Sequence, residues 1–275
     1  MRNSTITEPF TLRPLGSSGI YISPIGLGTV KFGRNEQVKY PESFSLPTDK
    51  EALSLLALAK DLGINLLDTA PAYGSSEERL GKLLKGQRQD WIICAKTGEE
   101  FHHGQSHFDF SPEHTQKSVE RSLKRLHSDY IDIVLVHSDG NDEDIIKNKG
   151  TLETLAELKK QGLIRAFGMS TKTVDGGLLA VKFSDVVMVT CNLNQQEELP
   201  VIESAYKNNT GVLIKKALAS GHISQQKIAD PIQASMNYIF SQQGVSGIIV
   251  GTINPAHLRQ NAAAAIKALE LNTLP

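Results

Sequence analysis

The sequence contains little cysteine, few aromatic residues and no long hydrophobic run. Only two of its 275 residues are cysteines, Cys94 and Cys191, and both lie in apolar segments, which favours reduced core thiols over a disulfide scaffold. No segment approaches the roughly 20 apolar residues that span a membrane. Residues 1–13 also lack the apolar stretch of a signal peptide. These absences predict a cytoplasmic protein.

An excess of charge of one sign is missing as well. The chain has 29 lysines and arginines against 30 aspartates and glutamates, a formal net charge of -1. Such a balance offers no long-range attraction to nucleic acid or to an anionic membrane surface, so we expect neither as a partner. The 40% of hydrophobic residues is ordinary for a globular protein and fills a large core.

One pattern repeats along the chain: a helix ends at a glycine, and a short apolar strand begins almost at once. Counted with the other apolar segments, about eight strands are predicted, at residues 22–30, 64–67, 91–96, 130–137, 164–170, 186–192, 212–217 and 247–252. Strands that alternate with helices over the whole chain predict an α/β fold, a (β/α)8 TIM barrel, as a single domain over residues 1–275. Turn residues at 15–20 predict an N-terminal β-hairpin in front of the barrel.

A doubly wound open sheet is the alternative fold. It would normally place a glycine-rich loop directly after its first strand, and no G-x-G-x-x-G occurs there. Polar residues fall instead at the ends of several predicted strands, where barrel enzymes carry their active sites. They are Asp68, Lys96, His137, Ser170, Asn192, Lys215 and Thr252.

Four side chains form a plausible catalytic group if the barrel brings them together: Asp68, Tyr73, Lys96 and His137. A tyrosine titrates near pH 10, too high for easy proton exchange at neutral pH, and a neighbouring ammonium lowers that pKa. A carboxylate would keep the lysine charged, and a histidine would orient a substrate oxygen. The set suits proton transfer to oxygen, as in carbonyl reduction with hydride from a cofactor. Taken singly, each residue is as readily a cap, a strand-end residue or a structural histidine.

The order of these motifs resembles the aldo-keto reductase family along nearly the full chain. Leu66-Leu67-Asp68-Thr69-Ala70-Pro71-Ala72-Tyr73-Gly74 is similar to the family signature, Ala95-Lys96-Thr97-Gly98 to its lysine strand, and the segment up to His137 to its histidine strand. The resemblance implies Tyr73 as proton donor in reduction, Lys96 as the residue that tunes its pKa, Asp68 as support for Lys96, and His137 as substrate orienter. It further implies a small-molecule carbonyl or alcohol substrate and a monomer or weak homo-oligomer.

The same resemblance implies a nicotinamide cofactor across the barrel mouth, NADP(H) rather than NAD(H). Its expected contacts are Gly28, Thr29, Asp68, Ser170, Thr171, Asn192, Lys215, Ala217, Leu218, Gly251, Thr252, His257, Gln260 and Asn261. Some positions depart from the family. Lys215 stands where an aromatic residue commonly stacks on the nicotinamide, and Met188 where a glutamine is frequent. The lysine and arginine that bind a 2′-phosphate in many members are Gly251 and His257 here, although Arg259 is close in sequence.

We expect the substrate pocket to include Phe32, Tyr73, Phe101 and His137. Three histidines, His102, His103 and His107, cluster just after the lysine strand. Imidazoles are common metal ligands, but we expect this segment to shape the pocket or to lie on the surface, and no metal is expected.

Three other functions stay open at this stage. A barrel aldolase would use Lys96 as a Schiff-base nucleophile, which requires a neutral amine and conflicts with an adjacent Asp68. A regulatory protein on a reductase scaffold would bind cofactor with almost no turnover. An NAD-dependent sugar or alcohol dehydrogenase would use the same four residues in the oxidising direction.

Overall fold

The strands of the chain form one large sheet and two small hairpins. In this computed structural model, which describes residues 10–225 and 228–273, the strands are β1 (Arg13–Pro14), β2 (Tyr21–Ile22), β3 (Ile25–Gly28), β4 (Leu66–Asp68), β5 (Ile92–Thr97), β6 (Glu99–His102), β7 (Gln105–Phe108), β8 (Ile131–His137), β9 (Ile164–Ser170), β10 (Val186–Thr190), β11 (Gly211–Lys215) and β12 (Val245–Val250). Eight of them pair in parallel and close into a barrel in the order β3-β4-β5-β8-β9-β10-β11-β12. The (β/α)8 barrel and the N-terminal hairpin, β1 with β2, are both confirmed.

Helices connect the barrel strands. They are α1 (Val30–Gly33), α2 (Asp49–Asp61), α3 (Ser76–Leu83), α4 (Pro112–Leu126), α5 (Asp142–Asn148), α6 (Thr151–Lys160), α7 (Val174–Val181), α8 (Leu199–Lys207), α9 (Pro231–Phe240) and α10 (Pro255–Thr273). The start of α2 is fixed by a capping box, because Thr48 and Glu51 bond to each other's backbone amides. Ser111 caps α4, and Pro112 occupies its first position.

Two apolar layers hold the barrel. The interior is filled by side chains that alternate along the strands, among them Leu66, Cys94, Ile133 and Leu135. Leu15, Ile20 and Ile22 from the first hairpin belong to the same buried cluster, so the hairpin plugs the end of the barrel opposite the strand C-termini. A larger cluster lies between the strands and the surrounding helices. Both cysteines are buried free thiols.

One local prediction differs from the structure, and two further segments have structure that the sequence did not predict. The first barrel strand ends at Gly28, two residues earlier than predicted, because Thr29 turns the chain and donates both its amide and its hydroxyl to the carbonyl of Asp68. Just after this strand the chain forms the short helix α1. The segment after the lysine strand folds as the antiparallel hairpin β6–β7.

No helix within the described part of the chain is long and apolar enough to cross a membrane. The first nine residues of the polar N-terminal segment, on which the expected cytoplasmic location partly rests, lie outside the described residues.

Candidate active site

The carboxyl ends of three neighbouring strands bring the predicted catalytic side chains together. Asp68 is the last residue of β4, Lys96 lies near the end of β5, and His137 ends β8. Because β4, β5 and β8 are adjacent in the barrel, the three residues meet at its mouth. Tyr73 reaches the same place from a single 3₁₀ turn, Pro71–Tyr73, that follows β4.

Asp68 and Lys96 form a buried ion pair at the centre of this group. The Lys96 ammonium donates to Oδ1 of Asp68 and, at 3.2 Å, to the carbonyl of Thr69. Both side chains are at most 5% exposed. Burial alone would lower the pKa of Lys96, but the Asp68 carboxylate outweighs it and raises the pKa above its ordinary value. Lys96 is therefore firmly charged.

Tyr73 is a neutral phenol in this environment. Its hydroxyl donates to Oδ2 of Asp68 at 3.5 Å. Burial and then the Asp68 carboxylate raise the pKa of Tyr73 well above 10. The sequence reasoning expected the Lys96 ammonium to lower this pKa. The opposite holds here, because Asp68 neutralises Lys96 and lies within hydrogen-bond reach of the phenol.

His137 lies beside Tyr73 and contacts a second carboxylate. The two rings meet edge to face with centroids 6.5 Å apart. Nδ1 of His137 is 2.6 Å from Oε2 of Glu99, the first residue of β6. Burial opposes ionisation of Glu99, but His137, Ser106 and Arg34 together lower the pKa of its carboxyl to about 2. Glu99 is therefore an anion at neutral pH.

Ser170 and Lys215 form a second polar contact at the mouth. The Lys215 ammonium donates to Oγ of Ser170 at 3.0 Å and to the carbonyl of Thr171. Burial lowers the pKa of Lys215 to about 8, with Glu198 opposing the shift. The expected cofactor contact Asn192 is already engaged, since its amide donates to Gln195 and to the Lys216 carbonyl.

The remaining expected cofactor residues lie along β3, β12 and the start of α10. A Cβ added at Gly28 would approach Cγ2 of Ile249 to 3.0 Å and the Gly251 Cα to 3.6 Å, so Gly28 lets the adjacent strands pack closely. Thr252 is tied into a turn, where its hydroxyl accepts from the amide of Asn254. His257 and Gln260 are exposed early in α10, and Asn261 is buried.

Four predicted contacts have little free surface. Thr29 is buried and its hydroxyl is shared with the Asp68 carbonyl and Ser76. Ala217 is buried, and Leu218 packs against the core. Phe32 is fully buried in the large apolar cluster and faces no pocket, because α1 turns it inward. Phe101 does face the mouth side, with the Arg34 guanidinium 3.3 Å above its ring.

The sequence did not indicate a role for Glu99 or Arg34 at the mouth, whereas it offered Tyr40 as an aromatic residue for the pocket wall. The phenol of Tyr40 packs against Gly251, where an added Cβ would lie 2.6 Å from its oxygen. Both Arg34 and Tyr40 belong to the long loop after β3, whose irregular sequence carries no periodic signal. Glu99 had one available signal, its place three residues after Lys96 across a glycine. In the described part of the chain, no cluster of histidine, cysteine or acidic residues could hold a metal ion; His102 and His107 merely stack at 6.5 Å.

Comparison with known proteins agrees with this geometry. The family profile described as "Aldo/keto reductase family" matches residues 24–232. A solved structure of a Pseudomonas aeruginosa protein, provisionally described as an aldo-keto reductase, has 57% sequence identity and a TM-score of 0.86, covering 94% of this chain and 95% of its own.

Two curated relatives are similar over nearly the whole chain. The "Uncharacterized oxidoreductase YqkF" of Bacillus subtilis is 29% identical over 95% of this chain and 96% of its own length. The L-galactose dehydrogenase of Arabidopsis thaliana is 27% identical over 92% of this chain and 87% of its own. Proteins of this family are oxidoreductases that use nicotinamide cofactors. The chain, with its eight-stranded barrel and its polar group at the strand C-termini, belongs to the aldo/keto reductase family.

Proposed function

We propose that this protein reduces the carbonyl group of a small aldehyde or ketone to an alcohol, with hydride from NADP(H) in preference to NAD(H). The observation that carries the proposal is the half-buried Tyr73 phenol next to the Asp68–Lys96 ion pair. Tyr73 is the proton donor to the developing alkoxide. A half-buried donor beside a fixed ion pair suits a reaction in which negative charge develops on oxygen.

The electrostatics favour reduction over oxidation. In reduction the tyrosine must hold a proton, and burial together with Asp68 keeps Tyr73 protonated by raising its pKa well above 10. Oxidation of an alcohol would need the phenolate, which the same environment disfavours. The similarity to L-galactose dehydrogenase makes sugar oxidation the second candidate. The firmly charged Lys96 speaks against Schiff-base chemistry, which needs a neutral amine.

Each of the other catalytic side chains has a distinct task. Lys96 places positive charge beside the reacting oxygen, and Asp68 holds that ammonium in position through its short ion pair. His137, edge-on to the Tyr73 ring, orients the substrate oxygen. Phe101 and Arg34 form the outer wall of the substrate pocket.

The residues present fit an extended dinucleotide. The nicotinamide cofactor supplies the hydride when bound. The Ser170 hydroxyl accepts a hydrogen bond from Lys215. Its own hydrogen remains free to donate to the carboxamide oxygen of the nicotinamide. The start of α10, with His257 and Gln260 exposed, offers side chains to phosphate and adenine. Arg259, exposed on the same helix, is the available guanidinium for a 2′-phosphate.

Two assays test this function. The first follows the fluorescence of NADPH and, separately, NADH on titration with the purified protein, and we expect saturable binding of both with NADPH tighter. The second follows loss of cofactor absorbance with a panel of aromatic and aliphatic aldehydes, ketones and sugars. Turnover that depends on both cofactor and carbonyl supports the proposal. Binding of neither cofactor below millimolar concentration, or binding with no turnover in either direction, would contradict it.

A further inference from the structure

The hairpin β6–β7 presents two adjacent acidic residues to opposite sides. Successive side chains of a strand point to opposite faces, and Glu99 and Glu100 follow this rule. Glu99 faces His137 at the barrel mouth. Glu100 faces helix α4, where it pairs with Arg121 and lies 3.7 Å from His114. The hairpin itself packs against the turn that carries Tyr73.

The contact between Glu99 and His137 is short and sheltered. Oε2 of Glu99 lies 2.6 Å from Nδ1 of His137, and the Glu99 side chain is 12% exposed. The Ser106 hydroxyl donates to the other carboxylate oxygen at 2.6 Å, which fixes the carboxylate plane. Nδ1 is buried and meets hydrogen-bond geometry with no atom of the described residues, and its close contact with Glu99 is an ion-pair distance. Glu99 is thus the one described partner that this ring nitrogen has.

This contact decides where the histidine carries its proton. An ionised carboxylate can only accept hydrogen bonds, so a nitrogen held 2.6 Å from it carries hydrogen. With Nδ1 protonated, Nε2 of a neutral ring can only accept, whereas Nε2 of a charged ring donates. A substrate carbonyl oxygen has no hydrogen to give. It can bond to His137 only when the ring is doubly protonated and its positive charge is balanced.

We propose that Glu99 is a positioning residue, which holds a proton on Nδ1 of His137 and balances the charged ring that donates from Nε2 to the carbonyl oxygen. The inference rests on the proposed function, because it takes the substrate oxygen as the partner of His137. Two other groups couple electrostatically to Glu99, the Arg34 guanidinium and the Tyr73 phenol. Neither can replace a carboxylate, since Arg34 is a cation and Tyr73 is neutral.

The direct test reads the histidine ring without any catalysis. Protein labelled with ¹⁵N-histidine, free of cofactor and substrate, is compared by long-range ¹H–¹⁵N correlation spectra at neutral pH, with His137→Gln to assign the ring. We expect a protonated Nδ1 in the wild type and a changed ring pattern in Glu99→Gln. The control is Glu100→Gln, which removes the neighbouring carboxylate on the other face and leaves the His137 signals in place. Identical His137 nitrogen shifts in wild type and Glu99→Gln would overturn the proposal.

Kinetics separate this role from a purely structural one. We expect Glu99→Gln to lower kcat for carbonyl reduction by about 10- to 100-fold, the range typical of groups that orient a catalytic ligand or base, with cofactor affinity unchanged. Glu99→Asp, which keeps the charge, recovers part of the loss. Equal kcat in wild type and Glu99→Gln would contradict the proposal. If the spectra change as expected but the wild type reduces no carbonyl, the proposed function fails while the proton placement by Glu99 stands.

Discussion

At the scale of single residues, the Asp68–Lys96 pair is expected to contribute both to the free energy of unfolding and to catalysis. Substitutions can separate these two contributions. Lys96→Met leaves the Asp68 carboxylate buried without its cation, and breaking a buried pair in this way costs about 3–5 kcal/mol. The double variant Asp68→Asn, Lys96→Met removes the stranded charge as well. We expect it to regain most of the lost free energy of unfolding, measured by urea denaturation, while carbonyl turnover stays lost.

The control for this prediction is an exposed ion pair. Lys60 and Asp90 lie 2.6 Å apart but are 51% and 40% exposed, so Lys60→Met should change the free energy of unfolding by less than about 1 kcal/mol. A Lys96→Met protein as stable as the wild type would contradict the role of the buried pair in stability. A double variant with normal turnover would contradict its role in catalysis.

Residue positions were the more predictable part of the site. The four catalytic candidates could be found from sequence because polar strand ends and a family-like motif coincide there. Lys215 and Glu99 illustrate what the sequence could not reveal, which is the contacts and pKa shift of a side chain. Their properties depend on burial, and on partners such as Ser170 and His137 that only the closed barrel brings near. The direction of the Tyr73 pKa was missed for the same reason.

At the scale of elements, Gly98 sets the entry to the hairpin that carries Glu99. It has φ +95°, and an added Cβ would lie 2.6 Å from the Phe110 ring. We expect Gly98→Ala to lower the free energy of unfolding by about 1–3 kcal/mol, through backbone strain and overpacking. Carbonyl turnover should fall too, since the hairpin and Glu99 must shift.

A second glycine of the same hairpin provides the comparison. Gly104 also has positive φ, at +76°, but an added Cβ there would meet nothing within 4 Å. Gly104→Ala should therefore cost only the backbone term, about 1 kcal/mol, and leave turnover nearly unchanged. Equal losses of stability and turnover for the two variants would contradict the account of Gly98.

The hairpin also shows which elements escape sequence reasoning. The barrel strands were recognisable because they are apolar, and several of them follow a glycine that ends a helix, as at Gly162 before β9. β6 and β7 have only four residues each and mix acids, histidines and phenylalanines. The two strands pair with each other rather than with a barrel strand. They therefore need no apolar pattern of the kind that buries a barrel strand.

At the scale of the whole molecule, Glu99 contributes to the pH dependence of stability. The pKa of its carboxyl is lowered to about 2 in the folded protein from an ordinary value of 4.5. Its contribution is therefore fully present above pH 4.5 and is lost as the pH falls towards 2. We expect wild type to exceed Glu99→Gln in free energy of unfolding at pH 6, with the difference shrinking below pH 4. A difference that stays constant down to pH 3 would contradict this assignment.

The barrel fold was easier to predict from the sequence than the side-chain contacts at its mouth. Alternating strands and helices leave few ways to bury both faces of a parallel sheet. A sheet that closes into a barrel surrounded by helices is one of these ways. What the alternation could not reveal is the set of charges that meet at the mouth. The Asp68–Lys96 pair, the Glu99–His137 pair and the Ser170–Lys215 contact each join different strands.

The central claim is that Tyr73 gives a proton to the carbonyl oxygen, and single-turnover kinetics test it most directly. Protein saturated with NADPH is mixed rapidly with an aldehyde substrate, and the loss of cofactor absorbance is followed for wild type, Tyr73→Phe and Tyr206→Phe. Tyr206 is an exposed phenol on α8, far along the chain from the site. We expect Tyr73→Phe to bind NADPH normally but to transfer hydride at least about 100-fold more slowly, while Tyr206→Phe behaves as wild type. A Tyr73→Phe rate within a few-fold of the wild type would contradict the role of Tyr73 as proton donor.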